Sequence, residues 1–417
     1  MGGHHKPTIT VTDDESIRLN PAWQSVRLVA MAVGVLALLL AMGIGMTQES
    51  SSYFFHSYLT SFVYFLSISL GALFFVPIHH LTRAGWSVVV RRVAELLSQN
   101  LIPMAILFLV ILFPMLFGSH TLFEWNDPAK WNVDSPQYDE LIAHKSGYLN
   151  SIFFTIRAII YFGTWICIAR YFYLNSLEQD GNGDKQITLK LQKWSALAIV
   201  LFALTVTFAS FDWLMSLDPH WFSTIFGVYF FAGSALSFFA FITVVLFLLQ
   251  QDGKMVNIIT KEHYHDLGKY TFGFTLFWGY IAFSQFLLIW YANIPEETGW
   301  YLRRQENGWA TVAILLIFGH FFIPFFGVMS RHVRRNKYLL TGWAVFILIM
   351  HYVDLYYIVM PQVAHGTAAP SFGLIDVCCI VGIGGLYISS LIWFATDKPL
   401  VPVKDPRLSE SLALQNH

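Results

Sequence analysis

Long apolar runs recur along the whole chain, and short polar stretches separate them. A helix needs roughly 20 apolar residues to cross a bilayer, and only helices and closed barrels satisfy their backbone hydrogen bonds in lipid. The pattern therefore predicts an all-α polytopic membrane protein with ten transmembrane helices. The predicted spans lie near residues 25–46, 54–78, 100–117, 150–173, 194–213, 222–249, 270–293, 309–330, 339–360 and 372–395.

One polar block, residues 211–223, separates the fifth predicted span from the sixth, and we call it the seam. Pro219 ends a helix there, while Trp213 and Trp221 are typical interfacial anchors. Half of the predicted spans precede this block and half follow it, so it is predicted to join two halves of the protein. The ionisable side chains of the seam are those of Asp212, Asp218 and His220.

The composition agrees with a membrane protein. Only 12% of the residues are charged, whereas soluble domains carry about one quarter. A net charge of −1 gives no reason to expect a nucleic-acid partner. The three cysteines fall inside apolar spans without a CxxC pattern, so we expect neither disulfides nor thiolate-bound metal. The polar first 20 residues contain no signal-peptide pattern.

Basic residues predict the orientation. Of the 25 lysine and arginine residues, 20 lie on one predicted side of the membrane, in the two tails, in the loops after every second span, or in the helix ends next to them. The positive-inside rule then places both termini in the cytoplasm. The exceptions are Lys130, Lys145, Arg157, Arg303 and Arg304. The predicted regions are an N-terminal cytoplasmic tail (1–24), a membrane domain (25–397) and a C-terminal cytoplasmic tail (398–417).

Several charged residues are predicted at membrane depth, where charge is costly and usually functional. Arg157, Asp354 and Asp376 fall in the outer part of their spans, and Asp212 lies at the outer end of the fifth. One interpretation is an outer proton-conducting cluster. The other is a structural ion pair that holds helices together.

Two histidines, His320 and His351, lie equally far from the loop that joins their spans. Asp354 follows His351 by three residues, so both share one helix face. Histidine beside a carboxylate suits a proton relay, because its pKa lies near working pH. The alternative is a pair of satisfied core histidines. Pro324 in the eighth span permits a kink.

The second span has His56 at its outer end and His79-His80 at its inner end, with small polar residues between them. Such a stripe is typical of close helix packing, but it could also hold water and take up protons. The sequence lacks nucleotide-binding, CxxCH haem and iron–sulfur motifs, so we assign no catalytic, cofactor-binding or metal residue. The proton-pathway candidates are His56, His79, His80, Arg157, Asp212, Asp218, His220, His320, His351, Asp354 and Asp376.

The loop at 118–149, rich in Trp, Asn, Asp and Pro, is the one sizeable loop on the predicted outer side. We call it the outer segment. It is long enough to pack on a neighbouring extramembrane subunit, and it could equally form a lid over its own chain.

Three groups of motifs resemble a known family. They are YLTSF at 58–62 with SLGALFF at 69–75 and HHLTRAGW at 79–86, then DWLMSLDPHWF at 212–222, then DLYY at 354–357 with Met360-Pro361. Together they resemble the F subunits of bacterial alternative complex III, which belong to the NrfD-like (polysulfide-reductase membrane-subunit) family. The resemblance covers residues 24–397.

This resemblance implies a non-catalytic, multi-pass subunit of a quinol:cytochrome c (electron-acceptor) oxidoreductase in the bacterial cytoplasmic membrane. It implies two four-helix bundles (54–213 and 222–360), with the first and last spans outside them. The chain would hold no cofactor, while partners would hold iron–sulfur clusters and haem c and oxidise quinol. The implied partners are a homologous NrfD-like membrane subunit, an iron–sulfur subunit and haem c subunits, with a terminal oxidase as a further candidate.

Four functions compete at this point. The leading hypothesis is a cofactor-free energy-coupling subunit that moves protons, and the second is a quinol site in this chain, since the family name describes a quinone-binding subunit. A b-type cytochrome with His320 and His351 as axial ligands is less favoured, and a Soret band would reveal it. A stand-alone secondary transporter is also less favoured, because the halves lack matching broken helices.

Overall fold

The computed structural model describes residues 15–47, 51–366 and 369–416. Within these ranges, ten helices are long and apolar enough to cross a membrane, which confirms the predicted number of spans. No β-strand occurs in the described residues, so the chain is an all-helical, multi-pass membrane protein. We number the helices span 1 to span 10: Trp23–Met46, Ser52–Leu81, Val88–Leu116, Ser151–Asn182, Lys185–Leu217, Phe226–Gln251, Lys261–Ala292, Trp309–Met329, Lys337–Val363 and Leu374–Ala395.

Some spans are built from more than one helix. Span 3 combines the α-helices Val88–Gln99, Leu101–Leu107 and Leu109–Leu116. Span 8 combines Trp309–Leu316, a π-helical turn at Ile317–Phe322, and Ile323–Met329. Spans 5 and 9 end in the 3₁₀ segments Met215–Leu217 and Met360–Gly366. The shorter elements between and beyond the spans are Glu15–Ile17, Glu124–Asn126, Pro128–Lys130, Glu140–Lys145, Pro295–Arg303, Arg331–Arg335 and Leu408–Leu412.

Span 3 begins twelve residues earlier than residue 100, where its apolar run begins. Its first helix, Val88–Gln99, is buried along its whole length, including Arg91, Arg92 and Glu95. Arg92 donates to Glu95 at 2.9 Å and to Asp180 at 2.7 Å. Burial of these charges is tolerated because each guanidinium has a carboxylate beside it. A hydropathy pattern cannot detect this pairing, so it does not predict the buried start of span 3.

Span 2 is the central helix. It packs against spans 3, 5, 6, 9 and 10, and 94% of its most apolar 18-residue window is buried inside the protein. Spans 3 and 5 both contact span 4, and spans 7 and 9 both contact span 6. Span 1 packs mainly along span 10, where a Cβ on Gly34 would lie 2.8 Å from the carbonyl oxygen of Gly382. This close approach of two backbones requires glycine.

The described ends of the chain meet at one face. The backbone N–H of Leu400 donates to the Ile17 carbonyl at 2.8 Å, and that of Met255 donates to Ser16 at 3.0 Å. Lys404 donates to the carbonyl of Gly181 in the last turn of span 4, which brings that end of the helix to the same face. We call this the basic face. Its segments are 15–22, 82–87, 183–184, 252–260, 330–336 and 396–416.

Candidate functional site

Side chains from five spans meet in the interior and form what we call the central cluster. Span 9 contributes two members one helical turn apart, and spans 2, 6, 7 and 8 contribute one each. Its members are Ser67, Tyr229, Trp278, His320, His351 and Asp354. The structure therefore brings together the two histidines and the aspartate that the sequence singled out in spans 8 and 9.

Asp354 is a buried carboxylate held by neutral donors. Its Oδ1 accepts a hydrogen bond from the Tyr229 hydroxyl, and its Oδ2 accepts one from the Trp278 indole at 3.1 Å. Asp354 is 1% exposed, and no lysine or arginine among the described residues forms an ion pair with it. A buried negative charge without a cation is costly, so a proton is the natural counter-charge.

The hydrogen bonds of His351 define its tautomer. Ser67 Oγ lies 2.9 Å from His351 Nε2, and the Ser67 hydroxyl donates to the Tyr64 carbonyl at 2.7 Å. Because a hydroxyl has a single proton to donate, the bond from Ser67 to Tyr64 favours the His351 tautomer in which Nε2 carries a hydrogen and donates to Ser67. The lone pair of a neutral His351 therefore lies on Nδ1, which has no partner among the described residues.

His320 is fully buried, and neither of its ring nitrogens has a partner among the described residues. Its ring centroid lies 4.2 Å from that of Trp278 and 6.2 Å from that of His351. An unmade hydrogen bond at a buried polar atom costs about 1–3 kcal/mol. Three such imidazole nitrogens around one carboxylate are therefore suited to binding water or an additional proton.

The backbone of span 8 positions His320. Pro324 has no N–H, so the bond that an α-helix would make to the His320 carbonyl is missing. The chain forms the π-helical turn Ile317–Phe322 at this place, with His320 inside it. Such turns recur at functional sites. The proline indicated a kink, whereas the π-helical turn has no signature in the sequence.

Glycine leaves room beside His351. A Cβ on Gly233 of span 6 would lie 3.0 Å from His351 Cε1, 3.4 Å from Nδ1 and 3.9 Å from the nearer Asp354 oxygen. The missing side chain lets the helix backbone approach the cluster and keeps the unpartnered nitrogen uncovered.

His320, His351 and Asp354 also offer three ligand atoms within 4.8 Å of one another. Two ligands of one zinc ion lie at most about 4.4 Å apart, because each lies about 2.0–2.2 Å from the metal. The 4.8 Å limit includes that spacing, so the three side chains also form a candidate metal site, to which we assign no ion.

Arg157 and Asp212 form a closed ion pair between spans 4 and 5. The guanidinium donates to both carboxylate oxygens, at 2.7 and 3.0 Å, and to the Tyr148 carbonyl at 2.8 Å. Tyr161 donates a further bond to Asp212 at 2.7 Å. This saturated geometry is typical of a structural clamp between helices.

Asp376 and His56 lie in separate hydrogen-bond sets. Asp376 accepts from Tyr53 at 2.5 Å and from the Gly373 N–H at 2.8 Å, which closes the first turn of span 10. His56 Nδ1 bonds the Ser52 carbonyl of its own helix at 2.8 Å. Within the described residues, the structure pairs Arg157 only with Asp212 and brings neither Asp354 nor Asp376 to it.

At the seam, Asp218 pairs with Arg303, and His220 pairs with Asp139 of the outer segment at 2.7 Å. Burial opposes ionisation of Asp139, but the N–H groups of Ile142 and Leu141 and the His220 ring outweigh it and hold the pKa of Asp139 below its usual value. Burial also lowers the pKa of Lys145, which donates to the Pro219 carbonyl at 2.6 Å.

The outer segment covers its own chain. Trp125 is fully buried and donates to Ser216 Oγ of the seam at 3.2 Å. The lid described in the sequence analysis is therefore present, and packing on a partner remains a prediction.

His79 and His80 lie at the basic face, away from the central cluster, in the wall of a pocket with Arg83, Arg91 and Arg407. Both rings are buried, and Nε2 of each has no partner among the described residues.

Three members of the central cluster, Ser67, Tyr229 and Trp278, were not predicted as site residues, and neither was Arg304 outside it. Tyr229 and Trp278 are aromatic residues in apolar spans, which also describes ordinary lipid-facing side chains, so the sequence holds no signal for them. Arg304 is fully buried, and its Nη2 donates to the Ile358 carbonyl at 2.7 Å. The guanidinium carbon Cζ of Arg304 lies 3.4 Å from the Trp300 ring centroid. Burial lowers the pKa of Arg304 to about 9.

The sequence matches no known protein-family model and no curated protein.

Proposed function

We propose that this chain is a cofactor-free, non-catalytic membrane subunit of a bacterial respiratory quinol:cytochrome c (electron-acceptor) oxidoreductase, and that it transfers protons through the central cluster. The observation that supports proton transfer is Asp354, a buried carboxylate with neutral hydrogen-bond donors, beside two histidines with three nitrogens that have no partner in the described part of the chain. The family resemblance supplies the respiratory setting.

The proposed relay uses groups that can both accept and release a proton. His351 accepts a proton on Nδ1 and can release the one on Nε2 to the Ser67 oxygen, while the Ser67 hydroxyl passes its own proton towards Ser237 Oγ, 3.4 Å away. Asp354 alternates between carboxylate and carboxylic acid while Tyr229 and Trp278 keep it in place. A charge change in a neighbouring redox subunit shifts this equilibrium, and coupling of a few kcal/mol is sufficient.

The proposal also includes the orientation, the helix bundles and the partner subunits of the chain. The basic face would be cytoplasmic, as the positive-inside rule implies. Spans 2–5 and 6–9 would act as two four-helix bundles, with spans 1 and 10 outside them. A homologous NrfD-like membrane subunit, an iron–sulfur subunit and haem c subunits would adjoin the chain in the cytoplasmic membrane, with a terminal oxidase as a further candidate.

The second candidate is quinol binding at the same cluster, where Tyr229 and Trp278 supply an aromatic environment. A quinone ring needs an open cleft beside its hydrogen-bonding groups. His320, His351 and Asp354 are at most 1% exposed, so their burial supports proton transfer over quinol binding.

The test uses the purified complex in liposomes, with proton release and quinol oxidation followed in one sample. Asp354→Asn and His351→Ala are expected to abolish proton movement beyond the scalar yield and to retain most oxidation. Asp376→Asn, at a buried carboxylate outside the cluster, is the control and is expected to retain both. A raised apparent KM for quinol with parallel loss of oxidation would favour the quinol site. Unchanged proton movement in both cluster variants would refute the proposal.

A further inference from the structure

A small pocket opens at the basic face, where span 2 ends, span 3 begins and the C-terminal segment crosses them. Its wall also includes Thr188 and Gln192 of span 5. The charged and titratable side chains in the wall are His79, His80, Arg83, Arg91, Asp405 and Arg407.

The pocket has an excess of positive charge. Arg91 forms ion pairs with Asp405, the one carboxylate among the described wall residues, and with Glu95 at 3.6 Å behind the wall. Arg407 donates to the Arg83 carbonyl and forms no ion pair with a carboxylate of the described residues. The Arg83 guanidinium has no hydrogen-bond or ion-pair partner within residues 15–47, 51–366 and 369–416. The guanidinium groups of Arg83 and Arg407 thus remain without a carboxylate among the described residues, and their positive charge attracts an anion.

Two buried imidazoles provide an independent sign of a ligand. His79 and His80 are 3% and 4% exposed, and Nε2 of each has no partner among the described residues. His79 Nδ1 donates to the Phe75 carbonyl at 2.8 Å, so Nε2 of a neutral His79 is an acceptor. Nδ1 of His80 makes no such bond in the described residues, so His80 can present Nε2–H as a donor.

We propose that this pocket binds a phosphate group. Its oxygens would accept hydrogen bonds from the Arg83 and Arg407 guanidiniums and from His80, a donor set that suits phosphate. A phosphate monoester or monoanion also carries a hydroxyl, which could donate to Nε2 of His79. The source is either the headgroup phosphate of an anionic lipid, which would lie at this depth, or a soluble phosphate compound. The inference does not depend on proton transfer by the central cluster.

The backbone at Arg83 gives an unusually clean variant. Arg83 follows the end of span 2 with φ +56°, in the left-handed region that favours glycine. Arg83→Gly therefore removes the guanidinium and relieves backbone strain, while keeping the carbonyl that Arg407 contacts. We expect it to unfold at the same temperature as the wild type or higher without phosphate, so loss of binding cannot be attributed to misfolding.

The experiment uses the full chain and two probes. In phosphatidylcholine nanodiscs, thermal unfolding is measured in millimolar inorganic phosphate against chloride of equal ionic strength. In parallel, native mass spectrometry measures phosphatidylglycerol retained after delipidation. Lys193→Gln removes one exposed charge from span 5 outside the pocket and is the matched control.

The wild type and Lys193→Gln are expected to bind at least one probe, and Arg83→Gly to bind it at least about ten-fold more weakly, which corresponds to about 1.4 kcal/mol. His80→Gln, a second variant, is expected to weaken the same probe. If Arg83→Gly loses only the binding of inorganic phosphate, the ligand is a soluble phosphate compound. If it loses only the binding of phosphatidylglycerol, the ligand is a lipid. If Arg83→Gly binds both probes as tightly as the wild type, or if neither probe binds the wild type, the pocket is not a phosphate site.

Discussion

At the residue scale, two buried polar groups differ in how completely their hydrogen bonds are satisfied. Asp212 has both oxygens occupied by a guanidinium and a tyrosine. Within the described residues, Asp354 has neutral donors only, and the nearby nitrogens of His320 and Nδ1 of His351 have no partner. A saturated ion pair holds helices in place, whereas an unsaturated cluster can change its protonation at moderate cost.

Gly233→Ala tests the open space beside His351. The added Cβ would lie 3.0 Å from Cε1 of His351, closer than ordinary contacts, so the ring must shift or Nδ1 becomes covered. We expect proton movement to fall to the scalar yield and the free energy of unfolding to drop by about 1–3 kcal/mol.

Proton release and thermal unfolding check this expectation together. Gly163→Ala is the control, because its Cβ would have no neighbour within 4 Å, and it should retain proton movement and change stability by less than about 1 kcal/mol. Normal proton movement in Gly233→Ala would show that Nδ1 of His351 is not part of the pathway.

At the element scale, span 8 is α-helical at both ends and contains a π-helical turn between them. The π-helical turn Ile317–Phe322 contains one residue more than an α-helical turn would, and it orients His320. Because an α-helix advances by about 100° per residue, removal of that extra residue would rotate the preceding part of the span. The position of His320 is thus set by backbone geometry as much as by its place in the sequence.

Pro324→Ala should convert this turn towards regular α-helix, since it restores an N–H that can bond the His320 carbonyl. Removing a helix-interior proline is expected to maintain or raise the stability of the span, by up to about 3 kcal/mol, while the His320 ring turns away from His351. Coupled proton release and an electron cryomicroscopy map of the variant complex provide the measurements. Pro114→Ala in span 3, remote from the cluster, serves for comparison, and an unchanged His320 position would contradict the assigned cause.

The sequence predicts the features that depend on one helix alone, and it does not predict those that depend on packing between helices. Ten apolar runs specify ten spans, because each run must satisfy its backbone within the bilayer. The pairing of His351 with Asp354 also follows, since it depends on helical periodicity alone. Tyr229, Trp278 and Gly233 could not be predicted, because they reach the cluster through packing between spans distant in sequence. The buried start of span 3 was missed for a related reason, since its charges are neutralised by Asp180 and Asp405 from elsewhere.

At the scale of the whole molecule, the two faces are built differently. The basic face gathers the described chain ends and several guanidinium groups, among them those of Arg91 and Arg92. The opposite face carries the seam, covered by the outer segment through Asp139, Lys145 and Trp125. The basic face therefore offers guanidinium groups to anions, whereas the attachment of the outer segment to the opposite face depends on the charge of Asp139.

Attachment of the outer segment should resist mild acid. Asp139 begins the helix Glu140–Lys145, accepts two backbone N–H bonds of 3.1 Å and pairs with His220. Because its folded pKa lies below the unfolded value of about 3.9, its stabilising contribution is complete above that pH and is lost as pH falls through the folded pKa. Pepsin should therefore leave the segment intact near pH 4 and cleave it more readily at lower pH.

Asp139→Ala should release the segment near pH 4, because loss of a helix cap costs about 1 kcal/mol in addition to the lost pair. Glu140→Ala, whose side chain is 81% exposed, is expected to behave like the wild type. Equal cleavage of the wild type and Asp139→Ala near pH 4 would rule out this role for Asp139.

The enclosed position of span 2 also has a consequence for biosynthesis. Its neighbours include spans 9 and 10, which are translated after it. At about 5–20 residues per second, the roughly 250 residues between the end of span 2 and the start of span 9 take on the order of 10–50 seconds to synthesise. During that interval the side chains of span 2 that pack on span 9, among them Ser61 and Ser67, must face lipid or a membrane insertase. Completion of the fold therefore depends on a helix that is made early, stays uncovered on one side, and is enclosed last.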